Sequence, residues 1–407
     1  MISKKNSLRS FQHYNFRLFW SANFVSNIGT WAARVAQDWL VVNDLHRGGS
    51  ELGIVTALQF APAFFLSIHG GVLADKFPKR RLLILTNLGG GITSLIIGLL
   101  VIAHQITLIE VFLLAFLSGI FSAIDSPVRQ SFNSEVVAKE NVANAVSLNS
   151  ANFNSGRIIG PAVSGLLIEA FHTGPSFIVN AISYLGVIAA LLSMKKSELN
   201  IPPTQESAPI AEVIKYLKER KDLVVVMATV FFAATFGLNF QIFNTLLATK
   251  IFHKSAGAYG LLGTYLAVGA LVAALVSANM DSWRKPKAIS RNARLFGFAL
   301  ALLAWSPNYI FYSIALPFVG FIALSTMINA NSYVQTTAKP KLRGRVLGVY
   351  LFIFLGTSPI GSLFIGYLSD KFGIRETMIF CGAVTLIGSF AVYRVLQSKI
   401  VEFEITN

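Results

Sequence analysis

The sequence predicts an all-α integral membrane protein with twelve transmembrane helices in two six-helix bundles. Composition, uncharged runs and loop charges each point that way. Apolar residues make up 54% of the 407 and charged residues 13%, against roughly 25% charge in globular chains. With a mean hydropathy of +0.61, so few charges could not cover a soluble surface of this size. Disordered, collagen-like and disulfide-scaffold classes are excluded by the same numbers. The lone cysteine, Cys381, lies in an apolar run and reads as buried packing.

A span needs about 20 mainly apolar residues. Residues 18–33, 52–74, 82–109, 170–194, 223–249, 255–280, 346–369 and 377–393 carry no Asp, Glu, Lys or Arg and supply one helix each. Residues 295–338 are too long for one span, and Ser306-Pro307-Asn308 divides them in two. Two further helices are interrupted by charge, one near 108–131 with Asp125 and one near 142–168 with Arg157. The runs lack the short alternation of a membrane barrel. The first run is full length and has no Ala-x-Ala-like exit, so it is expected to remain as a helix.

Orientation follows from lysine and arginine in the loops. With the N-terminus cytoplasmic, the inner segments hold 27 of them and the outer loops 5. Both termini are therefore expected inside. The formal charge of +15 would suggest nucleic acid on a soluble protein. Here its expected partner is the anionic inner leaflet of the bilayer, with no nucleic acid.

The longest connection, residues 195–221, separates an N-terminal bundle (1–194) from a C-terminal one (222–407). Pro202-Pro203 and Pro209 mark it as flexible. Ile210, Val213, Ile214 and Leu217 then fall at i, i+3, i+4, i+7, which predicts a short amphipathic helix on the inner membrane surface.

The loop after the second helix reads Gly70-Gly71-Val72-Leu73-Ala74-Asp75-Lys76-Phe77-Pro78-Lys79-Arg80-Arg81. It resembles the signature loop of the major facilitator superfamily, with Pro78 where a second glycine is usual. Gly156-Arg157-Ile158-Ile159-Gly160-Pro161-Ala162-Val163-Ser164-Gly165 resembles the glycine-proline motif of its antiporter branches, with Ser164 in place of a glycine. Asp125-Ser126-Pro127-Val128-Arg129, Leu342-Arg343-Gly344-Arg345 and Gly366-Tyr367-Leu368-Ser369-Asp370 are similar to the bacterial enterobactin-exporter-like and macrolide-efflux-like, drug:proton antiporter branch. The resemblance covers nearly the whole chain and implies the major facilitator fold, the bacterial cytoplasmic membrane, a monomer, and two bundles rocking about a central site. It is silent on substrate. Many proton-driven members carry an arginine midway along the fourth helix. Ala115 or a neighbour stands there, so that role is not carried over.

Residues of the first helix give the bottom-up candidates. Asn23, Asn27, Thr30, Arg34, Gln37 and Asp38 fall within a sector of about 100°. Such a stripe cannot face lipid, since one charge at depth costs at least ~2.5–3.5 kcal/mol. Arg34 and Asp38 either neutralise one another or serve substrate or proton, and lining a cavity fits both. Arg157, at a similar depth, is expected to pair with Asp38. In the seventh helix Phe232, Phe236, Asn239 and Phe243 share a side, read first as packing. If the two helices are equivalent, one wall is polar and one aromatic, which suits a bulky amphipathic solute. On the fifth helix Asn149, Asn152, Gly156 and Gly160 share a face suited to close helix contact. A cytoplasmic gate is expected from Gly71, Asp75, Lys79, Arg80, Asp125 and Arg129, holding one state by charge.

The sequence has no phosphate-loop motif, no His-Glu-x-x-His and no Cys-x-x-Cys, and its six histidines are scattered. No cofactor, metal or enzymatic site is expected. The expected function is proton-coupled export of a bulky amphipathic small molecule. The alternatives are an uptake permease or facilitator without proton antiport, or a channel.

Overall fold

A computed structural model describes the backbone of residues 8–200, 210–340 and 342–405, with side chains throughout except at 67–75, 210–211 and 397–405. Twelve long helices follow in order among the described residues. They are α1 (Tyr14–Trp39), α2 (Gly49–Lys76), α3 (Lys79–Ile102), α4 (Leu108–Phe132), α5 (Val142–Phe171) and α6 (Gly174–Leu192), then α7 (Lys221–Ile251), α8 (Ala256–Ser277), α9 (Pro286–Ala304), α10 (Tyr309–Thr337), α11 (Arg343–Phe372) and α12 (Ile374–Ile405). Nine of them are long and apolar enough to cross a membrane. The other three, α1, α5 and α9, carry buried polar stripes or basic residues.

Several helices depart from their expected bounds, α12 by running on from 393 to Ile405 and two others close to the candidate residues. α1 does not stop at residue 33 but runs to Trp39 and on through a π-turn over Leu40–Asp44. Arg34 and Asp38 face protein rather than lipid, so their charge does not end the helix. α7 is a broken rod: Lys221–Phe232, a π-turn over Ala233–Gly237, an interruption at Leu238 and Asn239, then Phe240–Leu246 and a second π-turn to Ile251. Backbone groups freed by such breaks need partners inside a membrane. At this one, Asn239 Nδ2 donates to the Thr235 carbonyl at 2.8 Å.

The chain forms two compact units. The first comprises residues 1–46, 58–205 and 255–264, and the second 47–57, 206–254 and 265–407. In the first, α1 packs on α5 and α6, and α3 on α4 and α6. In the second, α9 packs on α10 and α12, and α7 on α12 and α9. The first turns of α2 belong to the second unit, where Asp370 of α11 accepts hydrogen bonds from the Gly49 and Ser50 amides at 2.6 and 2.7 Å. The first turns of α8 belong to the first unit.

The linker helix, Ile210–Glu219, buries Val213 of the predicted stripe together with Tyr216, while Ile214 is 51% exposed. Polar contacts hold Tyr216. Tyr216 Oη accepts from Arg220 Nη1 at 2.7 Å and from the Lys339 amide at 3.2 Å. Arg220 also grips Asp222 at 2.6 Å and the Thr337 carbonyl at 3.1 Å. Its hydrogen bonds to Asp222 hold its proton above the usual arginine range. The proline-containing stretch at 201–209 lies outside the described residues.

Candidate functional site

In the first unit, α5 lies against α1 through its glycines. A Cβ at Gly156 would stand 2.8 Å from Asn27 Cβ, and one at Gly160 2.5 Å from Trp31 Cβ. The same interface carries an amide chain: Asn27 donates to Asn152 at 2.9 Å, and Asn152 to the Trp20 carbonyl at 2.8 Å. The motif's second part serves a different neighbour, the first turns of α8. A Cβ at Gly165 would reach the Ala256 carbonyl at 2.8 Å, and Gly263 lies under the Pro161 ring. Thr264 donates to the Ile158 carbonyl at 2.7 Å, in the turn that Pro161 interrupts.

This close approach sets the surroundings of the charged stripe. Arg34 lies 4.8 Å over Trp31 and 5.5 Å over Phe60. Arg157 lies 5.5 Å over the same Trp31 ring. Phe153 meets Trp31 edge-on at 5.8 Å. Cations are drawn to such ring faces, more so when desolvated. Asp38 is 1% exposed and accepts from Tyr259 of α8 at 3.1 Å. Trp39 stacks on Tyr259 at 6.0 Å. The expected ion pair between Arg157 and Asp38 is not formed among the described residues. The Trp31 ring takes the guanidinium, and the carboxylate turns to Tyr259. Gln37, 6% exposed, accepts from Gln59 at 2.9 Å.

In the second unit Phe236 stacks on Phe232 at 6.5 Å and meets Phe364 edge-on at 6.1 Å. Asn239 is buried at the break of α7, with its amide on its own backbone. Both belong to packing around that break.

The predicted gate divides. Gly71 and Asp75 lie outside the residues whose side chains are described. Asp125 and Arg129 pair on α4 at 2.6 Å. Asp125 also accepts from Thr86 and Asn87 of α3 at 2.8 and 3.0 Å, and Arg129 bonds Asn23 of α1. Lys79 and Arg80 do not join this cluster. Lys79 pairs at 2.6 Å with Glu135, a buried acid in the α4–α5 connection. Arg80 donates to the Leu191 and Leu192 carbonyls at 2.5 and 2.9 Å, where the open end of α6 attracts a cation. Sequence reasoning missed Glu135, Asn87, Trp31, Phe60 and Tyr259. Only Asn87, a polar residue within an apolar run, gave a signal. Among the described residues no cluster of His, Cys, Asp or Glu could hold a metal ion.

A family profile described as "Transmembrane secretion effector" matches residues 5–405. The chain is 26% identical over 394 residues to the staphyloferrin A transporter of Staphylococcus aureus, covering 96% of this chain and 98% of that protein. It is 25% identical over 386 residues to the multidrug efflux pump Tap of Mycolicibacterium fortuitum, covering 91% and 93%. Among solved structures, a bacterial homologue of the human lysosomal transporter Spinster superposes with a TM-score of 0.76 at 13% identity, over 96% of this chain and 98% of that one. That likeness speaks for the fold alone.

Proposed function

The chain belongs to the transmembrane secretion effector family of the major facilitator superfamily, and from that premise we propose that it exports a bulky amphipathic small molecule in exchange for protons. It is a secondary transporter, not an enzyme. In this reading both termini are cytoplasmic in a bacterial inner membrane, the protein works as a monomer, and the halves 1–194 and 222–407 alternate access to a central site.

The observation that carries the proposal is Asp38. It is a carboxylate buried within a span, four residues from Arg34, and it accepts a hydrogen bond from the Tyr259 hydroxyl. A buried acid near a cation changes its proton affinity when its surroundings rearrange. Asp125, the other candidate, is already bonded by Arg129, Thr86 and Asn87 and reads as a fastening of α1, α3 and α4. The similarity to a named efflux pump supports export.

Asp38→Asn tests the proposal, because the amide can still accept from Tyr259. In proteoliposomes with an imposed proton gradient, the variant should lose gradient-driven export while keeping its thermal unfolding midpoint. Export at the wild-type rate would leave Asp38 a structural residue.

A further inference from the structure

Arg34 and Arg157 share one aromatic nest, yet only one of them is near an acid. Both lie over Trp31, and Phe60 and Phe153 extend the apolar surface. The two guanidinium groups, 4.8 and 5.5 Å from the centroid of one indole ring, carry like charges that repel one another. Asp38, one turn along α1, attracts Arg34. Arg157 makes neither an ion pair nor a hydrogen bond among the described residues, and its charged neighbour is the like charge of Arg34. Close by in sequence, Gln37 buries an amide nitrogen with no acceptor among the described residues, and the Gln59 amide oxygen likewise has no donor there. Both side chains keep part of their surface uncovered.

A guanidinium presents five N–H donors in a plane that fits a carboxylate bidentately. Within a span, a charge without a counter-charge is costly, and an arriving anion relieves that cost. We propose that this nest is the subsite for an anionic head group of the cargo, a carboxylate on an otherwise aromatic or aliphatic body. Arg157 is its first contact, Arg34 its second, and Trp31, Phe60 and Phe153 cover the body. The inference names the cargo class for the export reading above and rests on it. The same nest repels a lipophilic cation, because a third positive charge would enter beside two. Asp38 lies by Arg34 and not Arg157, so the proton site and the first anion contact are different residues.

The test uses the purified full chain in lipid nanodiscs and three probes of one shape: 2-naphthoate, 2-naphthamide and 2-naphthylmethylammonium. Equilibrium dialysis should find naphthoate bound at least tenfold more tightly than the amide, with the ammonium weakest. Arg157→Gln should cost naphthoate at least tenfold and leave the amide unchanged. Arg157→Lys should recover part of the loss, and an unchanged unfolding midpoint shows that each variant is folded. Equal affinity for the three probes, no binding of naphthoate, or an Arg157→Gln protein that binds naphthoate like the wild type each overturns the subsite. If the preference is absent but proteoliposomes still export a neutral amphipath on a proton gradient, the subsite falls and the export reading stands. If naphthoate binds selectively yet no cargo moves, the reverse holds.

Discussion

A single buried lysine shows how little of a charge's partnership is written in its neighbourhood along the chain. Lys79 stands in a basic loop whose obvious acids are Asp75 and Asp125, yet it reaches Glu135, with side-chain exposures of 11% and 6%. Breaking a buried pair from one side strands a charge and costs ~3–5 kcal/mol, whereas replacing both members with apolar groups is near neutral. Glu135→Gln should therefore lower the thermal midpoint clearly, and Lys79→Met with Glu135→Leu should restore most of it. A double-mutant cycle read by unfolding in detergent checks this. The charged stripe of α1 was legible because periodicity places it on one face. Its partners were not, because Trp31 and Tyr259 look like any packing aromatics until the helices meet. Four histidines scattered in the sequence, His46, His104, His172 and His253, all have positive φ, from 48° to 66°. Each follows the end of an odd-numbered helix, a place where histidine is among the few side chains tolerated.

At the level of elements, the glycines of α5 decide whether it can lie on α1. Gly160→Val would drive a branched side chain into Trp31 and the Ile28 carbonyl, 2.5 and 2.8 Å from the Cβ position. Overpacking of this kind costs ~1–3 kcal/mol. Gly186→Ala, where nothing lies within 4 Å, should instead gain ~0.5–1 kcal/mol from helix propensity. Thermal midpoints of opposite sign are expected for the two variants, and equal shifts would deny the close contact its role. The number of helices was readable from uncharged runs and one proline-bearing turn. The length of α1 and the interruption of α7 were not, since charge inside a bundle does not end a helix and a single glycine within an apolar run, Gly237, does not by itself mark a break. The linker helix was readable as amphipathic. The polar contact of Tyr216 with the Lys339 amide was not, because it joins residues far apart in the chain.

For the whole molecule, the contrast of 27 inner to 5 outer basic residues makes a direct prediction. With Cys381→Ala as background, Ser255→Cys should react with an impermeant maleimide in intact cells, and Ser197→Cys only in inverted vesicles. The opposite pattern would reverse the orientation. The two compact units do not follow the order of synthesis. A ribosome releases α1 early, yet the tyrosine that bonds its buried aspartate lies 221 residues further on. The second unit borrows in the other direction, since Asp370 binds amides at the start of α2 that were made 321 and 320 residues before it. Neither unit can finish folding as a nascent chain on its own. Until α8 arrives, the first six helices must wait in the membrane with the buried Asp38 short of its hydroxyl, the interval in which this chain most needs protection from quality-control proteases.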